Sequence, residues 1–315
     1  FGLISLVVTS AVLHIPKIKR EHAVDYLGAF LLVASVVPIL LTLSVYGPEH
    51  GWGDSRTILY FVIGVALGVL FYFQEKRAKE PILPLHLFKN HTFNITSLLG
   101  AVIGAGMFGA IVMLPLYLQV VKGYSASSAG LKLIPLMLGI VSMSIFSGKY
   151  ISKHGHYKRF PILGTAIMTI GLLAMTKLEI STQYWEVSIF AILVGMGLGL
   201  SMQTIVIALQ NAVEMRDMGV ATSSNTFFRS LGAVFGTAFF GSILTNRLAH
   251  YMQSGFTELA KSNPQALANV DPAKLKALSS NSTIIKTLPM DVQHTVLQAF
   301  VNSFHFVFYS AAPIT

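Results

Sequence analysis

The chain has 315 residues, 53% of them hydrophobic and only 11% charged, where a soluble domain carries about 25% charged residues; so little polar side chain excludes an ordinary water-soluble globule and leaves the bilayer as the natural solvent. The +9 net charge falls between apolar runs, not along one polar stripe, which excludes a nucleic-acid grip and fits loop charges that set membrane orientation. Cysteine is absent, excluding disulfides, thiolate metal sites and cysteine nucleophiles.

The first residues, Phe1-Gly2-Leu3-Ile4, are already apolar, with no basic region before them as a signal peptide would need. The last, Ala311-Ala312-Pro313-Ile314-Thr315, lie inside another apolar run, and both ends read as truncations. A spanning helix needs about 20 predominantly apolar residues. After an opening segment at 1–13, such windows are predicted at residues 26–46, 57–73, 93–121, 131–148, 160–176, 187–213 and 218–243, with a last one starting near 292. The runs are continuous, without the period-two alternation of barrel strands. The expected class is all-α, a polytopic transmembrane helical bundle.

Loop charge orients it. With residues 14–25 inside, the inner loops hold Lys17, Lys19, Arg20, then Lys76, Arg77, Lys79, Lys89, then Lys149, Lys153, Lys158, Arg159, and finally Arg216. Short outer loops hold only Arg56, Lys122 and Lys177, with Lys132 just inside a span, as the positive-inside rule requires. Trp52 and Trp185 then fall at outer ends, where an aromatic belt belongs. Residues 247–293 read as a polar external loop, with short helical patterns at 256–267 and 272–278 and an Asn281-Ser282-Thr283 glycosylation pattern that carries little weight as a short motif.

Several residues are candidates for function. Asp25 opens a span, where an acid also suits the positive helix end. Along 93–121, Gly100, Gly104, Gly106 and Gly109 permit close helix approach, and Pro115 should bend the helix near its outer end. Met107, Phe108, Tyr117 and Gln119 are candidate walls of a soft pocket for flat apolar molecules, with packing as the competing reading for each. Gly195, Gly197 and Gly199 form a second small-residue stripe; Gln203 and Asn225 face either a cavity or a neighbouring helix. Arg229 is the one charge well inside a span, about 16 Å along its helix from Met218. It either gates, packs, couples to substrate, or snorkels past the polar run Thr222–Thr226. No acid sits at mid-span, His154 and His156 have poor metal-ligand spacing, and no Gly-Lys-Ser/Thr phosphate loop appears.

Ordered segments resemble a known family: Asp25-Tyr26-Leu27-Gly28 with Gly51-Trp52; Glu75-Lys76-Arg77 with Pro81-Ile82-Leu83 and Leu87-Phe88; Leu114-Pro115-Leu116-Tyr117-Leu118-Gln119 with Gly123-Tyr124-Ser125, Ala129-Gly130-Leu131 and Pro135; and Gly219-Val220-Ala221-Thr222 with Asn225, Arg229, Gly232 and Gly236. Together they resemble the fourteen-span EmrB/QacA-type multidrug:proton antiporters of the major facilitator superfamily. Gly148, Lys153, Gly155, Lys158 and Arg159 resemble that superfamily's inner loop motif, with Ser152 where its acid is expected.

The resemblance implies part of a major facilitator fold. Residues 1–13 would end the N-terminal bundle; 14–92 would hold a cytoplasmic loop, two extra spans and an inner loop; 93–315 would form the C-terminal bundle. It also implies a cell-membrane exporter of small amphipathic or cationic drugs, driven by the proton gradient without a cofactor, its coupling carboxylate lying before Phe1. Accessory export proteins are undetermined, and no nucleic-acid partner or enzymatic activity is expected. The alternatives are a facilitator carrier for a lipid precursor, peptide or sugar, and a non-transporting membrane subunit.

Overall fold

The computed structural model describes residues 25–78, 81–264 and 287–315, with residues 8, 9, 12 and 285. Apart from residues 8, 9, 12 and 25, the expected opening span and first inner loop fall outside these residues, as do the 272–278 helical pattern and the Asn281 motif. Every regular element among them is helical.

Helix α1 (Tyr26–Leu41) starts at Asp25, whose carboxylate accepts the Gly28 N–H at 2.8 Å, satisfying one of the free donors of a helix start. Pro38 lies inside it, and the chain loosens into a π turn at Thr42–Tyr46. Helix α2 (Ser55–Arg77) is capped by Asp54 and runs back beside α1. A 3₁₀ segment, Leu85–Lys89, leads into α3 (His91–Ile111), followed by α4 (Met113–Val120). A short helix at Ala126–Leu131 precedes α5 (Ile134–His154); then come α6 (Arg159–Met175), α7 (Tyr184–Ala212), α8 (Met218–Ser262) and α9 (Met290–Ala311).

Two boundaries depart from the sequence reading. The 93–121 window is two helices, broken at Val112 (φ −101°). Pro115 is the cause: it has no N–H to give the Ile111 carbonyl, and its ring crowds that carbonyl. The expected span at 218–243 is the first part of one 45-residue helix. It continues because Leu244, Leu248, Tyr251, Met252, Phe256 and Leu259 keep an apolar stripe that packs into the main core, with α9 against it. Residues 247–262 of the expected outer loop are therefore a rigid helical extension.

α7 is the central post. Its most apolar stretch is 61% buried, against 11% for α2, so α7 is wrapped by protein while α2 offers Ile58, Leu59, Val62 and Leu70 to lipid. α5 and α6 pack on α7, and α8 packs on α3 and α9. Lipid tails are as apolar as leucine, so such contacts rest on close packing more than on water exclusion. Glycine supplies the closeness. A Cβ at Gly104 would fall against the Arg229 carbonyl, and one at Gly232 against the Ala101 carbonyl. Gly195 meets the Leu136 carbonyl in the same way, and Gly197 and Gly164 meet backbone to backbone.

Gly232→Val should therefore destabilise the α3–α8 pair by about 1–3 kcal/mol, as overpacking does. Gly241, in the same helix, has nothing within 4 Å of a built Cβ. Gly241→Ala should be neutral or gain up to about 1 kcal/mol of helix propensity. Unfolding midpoints in mild detergent, measured for both variants, check the contrast.

Candidate functional site

The inner part of α8 presents a polar face. Gly219, Ser223, Thr226 and Ser230 are exposed and recur at i, i+4, i+7 and i+11, one face of an α-helix. This polar stripe covers roughly 16 Å from the inner end. Further along, Val234 continues this face and then Leu244 and Leu248 bury it against protein, while the exposed Phe235 and Phe239 lie about 140–180° around the helix from it. A polar stripe of this length has no use against lipid tails, whereas a helix whose inner part lines a water-filled cavity needs one. The hydroxyls are partly self-satisfied, since Thr226 Oγ1 donates to the Thr222 carbonyl at 3.0 Å and Ser230 Oγ to the Thr226 carbonyl at 2.9 Å.

Arg229 stands beside this stripe, half-buried, where the α3–α8 crossing is tightest. Its guanidinium makes no ion pair or hydrogen bond among the described residues. On the other side of the crossing, Asn225 is 3% exposed and its amide donates to the Thr96 carbonyl at 2.8 Å. That position also faces Gly100. Asn225, considered as a cavity wall from sequence, is thus a clamp between α3 and α8.

Tyr117 is likewise enclosed. It is fully buried, edge-on to Phe304, and its hydroxyl donates to the Glu179 carbonyl at 2.7 Å. Lys122 Nζ donates to the neighbouring Ile180 carbonyl at 2.7 Å. Burial pushes the Lys122 ammonium below the usual lysine range, opposed by the Glu186 carboxylate. The two bonds fasten the end of α4 to the α6–α7 turn and close the outer end of the bundle. Met107 packs against the main core. The Phe108 side chain is not described. Gln119 is half-buried and makes no hydrogen bond among the described residues.

Gln203 is exposed in the inner half of α7, near Gly148 of α5. An uncharged amide presented outward within a span marks a second polar spot at the depth of the α8 stripe. The loop-motif residues cluster at the inner end. Gly155 (φ +71°) terminates α5, its N–H meeting the Ile151 carbonyl at 2.8 Å; a left-handed position of this kind favours glycine. Lys153 and Arg159 are exposed and form no ion pair among the described residues. The turn is a helix stop with positive charge around it.

Asp25 lies apart from the stripe. Besides capping α1 it accepts from Gln74 Nε2 at 3.1 Å, joining the inner ends of α1 and α2. Glu75 is buried and accepts the Ile82 and Leu83 N–H groups at 3.3 and 3.1 Å. His86 meets Asp217 at 2.8 Å, and Asn90 Nδ2 donates to the Ala212 carbonyl at 2.6 Å. The inner segment is thereby tied at one end to α2 and at the other to the α7–α8 turn. None of these fasteners of the inner segment stood out in sequence, where Glu75 appeared only within Glu75-Lys76-Arg77. The α8 stripe was missed for a different reason: Ser223 and Thr226 looked like part of a polar boundary, and the i+7 and i+11 recurrence was the signal that distinguished them. Among the described residues no group of His, Asp or Glu could hold a metal ion.

Comparison with known proteins agrees with this architecture. The family model for the Major Facilitator Superfamily matches residues 2–237. The multidrug transporter protein MdtP of Bacillus subtilis is 35% identical, over 86% of this chain and 55% of its own length. An uncharacterized MFS-type transporter of Mycobacterium tuberculosis is 34% identical, over 98% of this chain and 43% of its own. A tetracycline resistance determinant of Streptomyces rimosus is 30% identical, over 90% of this chain and 86% of its own. The chain spans about half the length of the first two. A lipid-facing bundle of apolar helices around a glycine-packed post, matched along most of its length by one family model, identifies the chain: it belongs to the Major Facilitator Superfamily and is a multi-pass protein of the cell membrane.

Proposed function

We propose that the chain supplies one bundle of a fourteen-span drug:proton antiporter of the EmrB/QacA type, a secondary transporter that exports amphipathic and cationic compounds against inward proton flow. The observation that carries the reading is the exposed polar face of the inner part of α8, formed by Gly219, Ser223, Thr226 and Ser230. In this reading that face and Gln203 wall a central cavity that a second bundle completes, and α1 and α2 are the extra pair of the fourteen-span members. Met107, Phe108 and Gln119 remain candidates for the substrate surface nearer the outside. The names of the Bacillus and Streptomyces relatives support a drug-like cargo.

Transport by alternating access needs bundles that rock as units around a mid-membrane site. The backbone contacts of α3 with α8, and of α5 and α6 with α7, suit that requirement because closely packed helices move together. A proton-coupled exporter also needs a carboxylate that gains and loses a proton within the membrane. No described carboxylate lies at mid-span, so in this reading the other bundle provides it, and Arg229 is the cation that faces it across the cavity. An unpaired cation at that depth costs roughly 2.5–3.5 kcal/mol on insertion scales, and such an arrangement offsets the cost when the cavity is closed.

The chain contains no cysteine, which makes the cavity directly testable. In an otherwise cysteine-free transporter, Ser223→Cys, Thr226→Cys and Ser230→Cys should react with a membrane-impermeant maleimide added from the inside, while Val234→Cys and Phe239→Cys should not. Uniformly unreactive stripe positions would remove the cavity. Function is tested in vesicles holding the full-length transporter: dye should leave only when a proton gradient is imposed. Gradient-independent flux, or none with any cationic dye, would remove the antiport. Arg229→Ala should lower gradient-driven efflux by about tenfold or more, the effect of losing roughly 1.4 kcal/mol of coupling, with normal insertion. Arg229→Lys should retain part of it.

A further inference from the structure

An apolar stretch of α8, on the side of the helix away from the polar stripe, borders a second cavity. A slot of about 570 Å³ lies between the end of α1 and the outer half of α8, walled by Leu43, Trp52, Phe235, Phe239, Phe240 and Ile243. That size falls within the range of pockets that hold a small organic ligand, about 300–1,000 Å³. Its deep wall includes Ala105 and Gly236, which lack bulk, and its outer end carries Ser242 and Asn246.

Ile243 and Asn246 are shared with an adjoining pocket whose other walls are Arg247, His250 and Phe306. The Arg247 guanidinium lies over the Phe306 ring, 3.7 Å from its centroid, and has no acidic partner among the described residues. No acid among the described residues lines either pocket. An aromatic slot therefore opens at one end onto an amide, a guanidinium and an imidazole.

Depth decides what fits. Counted from Met218, Phe235 to Ile243 lie about 26–38 Å along α8, and Arg247 and His250 about 44–48 Å. The hydrocarbon layer is about 30 Å thick, or about 40–45 Å with its headgroup regions. For a helix that starts near the inner surface, the slot sits among the outer-leaflet chains and the basic rim at the level of the outer headgroups. A free anion has no use for the aromatic walls, and a cationic drug would be repelled by the rim.

We propose that this composite site holds an anionic phospholipid of the outer leaflet, with one acyl chain in the slot between α1 and α8 and its phosphate against Arg247, Asn246 and His250. The site does not depend on what the transporter exports.

Trp52 lines the slot and is itself the probe. The transporter, with Trp52 as its single tryptophan, is reconstituted in vesicles containing acyl-brominated phosphatidylglycerol or acyl-brominated phosphatidylcholine as the quencher. Half-maximal quenching should need about fivefold less phosphatidylglycerol, the equivalent of one cationic contact at the membrane surface. Arg247→Gln should erase the headgroup preference while leaving the plain lipid quenching, and Ala238→Phe, at another wall of the slot, should weaken quenching by both. A tryptophan placed at Leu59, exposed on α2, reports ordinary boundary lipid. Equal quenching of Trp52 by the two lipids, matching that reporter, would overturn the proposal. So would the absence of quenching by either, which would mean that protein covers the slot.

Discussion

The crossing of α3 and α8 is the constraint on which the other features depend. Where Gly104 meets the Arg229 carbonyl and Gly232 meets the Ala101 carbonyl, the helices touch backbone to backbone. In a solvent that does not drive apolar surfaces together, this closeness is itself the attraction, because dispersion and weak polar contacts act only at short range. The crossing fixes the rotation of α8 about its axis. That rotation puts Asn225 inside, Ser223 and Thr226 outside, and Arg229 on the boundary between them. Turning α8 by one residue would bury a different side chain against α3 and break the polar stripe.

How much of this was legible in the sequence depended on the kind of signal involved. Span positions follow from composition, and the orientation from the crowding of Lys and Arg into inner loops. Pro115 announced a bend, and the structure places the break at Val112, where the missing donor is felt. The faces of the helices were much harder to read. A helix apolar on all sides gives a weak periodic signal, because lipid and protein neighbours accept the same residues. Tyr117 and Asn225 illustrate this: each has the chemistry of a cavity residue, and each proves to be a fastener between elements. The outer half of α8 was read only in part, as a short helical pattern at 256–267 inside a loop, for the opposite reason. Its polar residues lowered the hydropathy of residues 247–262 to that of a loop, while its apolar stripe still had helical spacing.

Apart from Asn225, the fasteners lie at the two ends of the bundle. Outside, Tyr117 and Lys122 hold carbonyls of the α6–α7 turn. Inside, Glu75, His86 and Asn90 secure the segment between α2 and α3 to α2 and to the α7–α8 turn. The middle contains few polar bonds between helices, apart from Asn225 with Thr96 and Ser144 with the Gly199 carbonyl at 3.2 Å. Such a distribution ties loops to helix ends and leaves mid-membrane surfaces free to slide over a cargo without breaking many bonds.

The length of α8 has a mechanical consequence. At 1.5 Å per residue, its 45 residues make a rod of roughly 67 Å, more than twice the hydrocarbon thickness of about 30 Å. Near its far end Gly255 packs against Thr295, and Asn263 binds Asp291 at 2.9 Å, so α9 braces it. A tilt of about 5° around the inner end would swing the tip by about 6 Å. The protruding rod is thus a lever arm, turning a rotation too small to notice inside the bilayer into a displacement large enough for an antibody on the outer surface to sense, or to arrest.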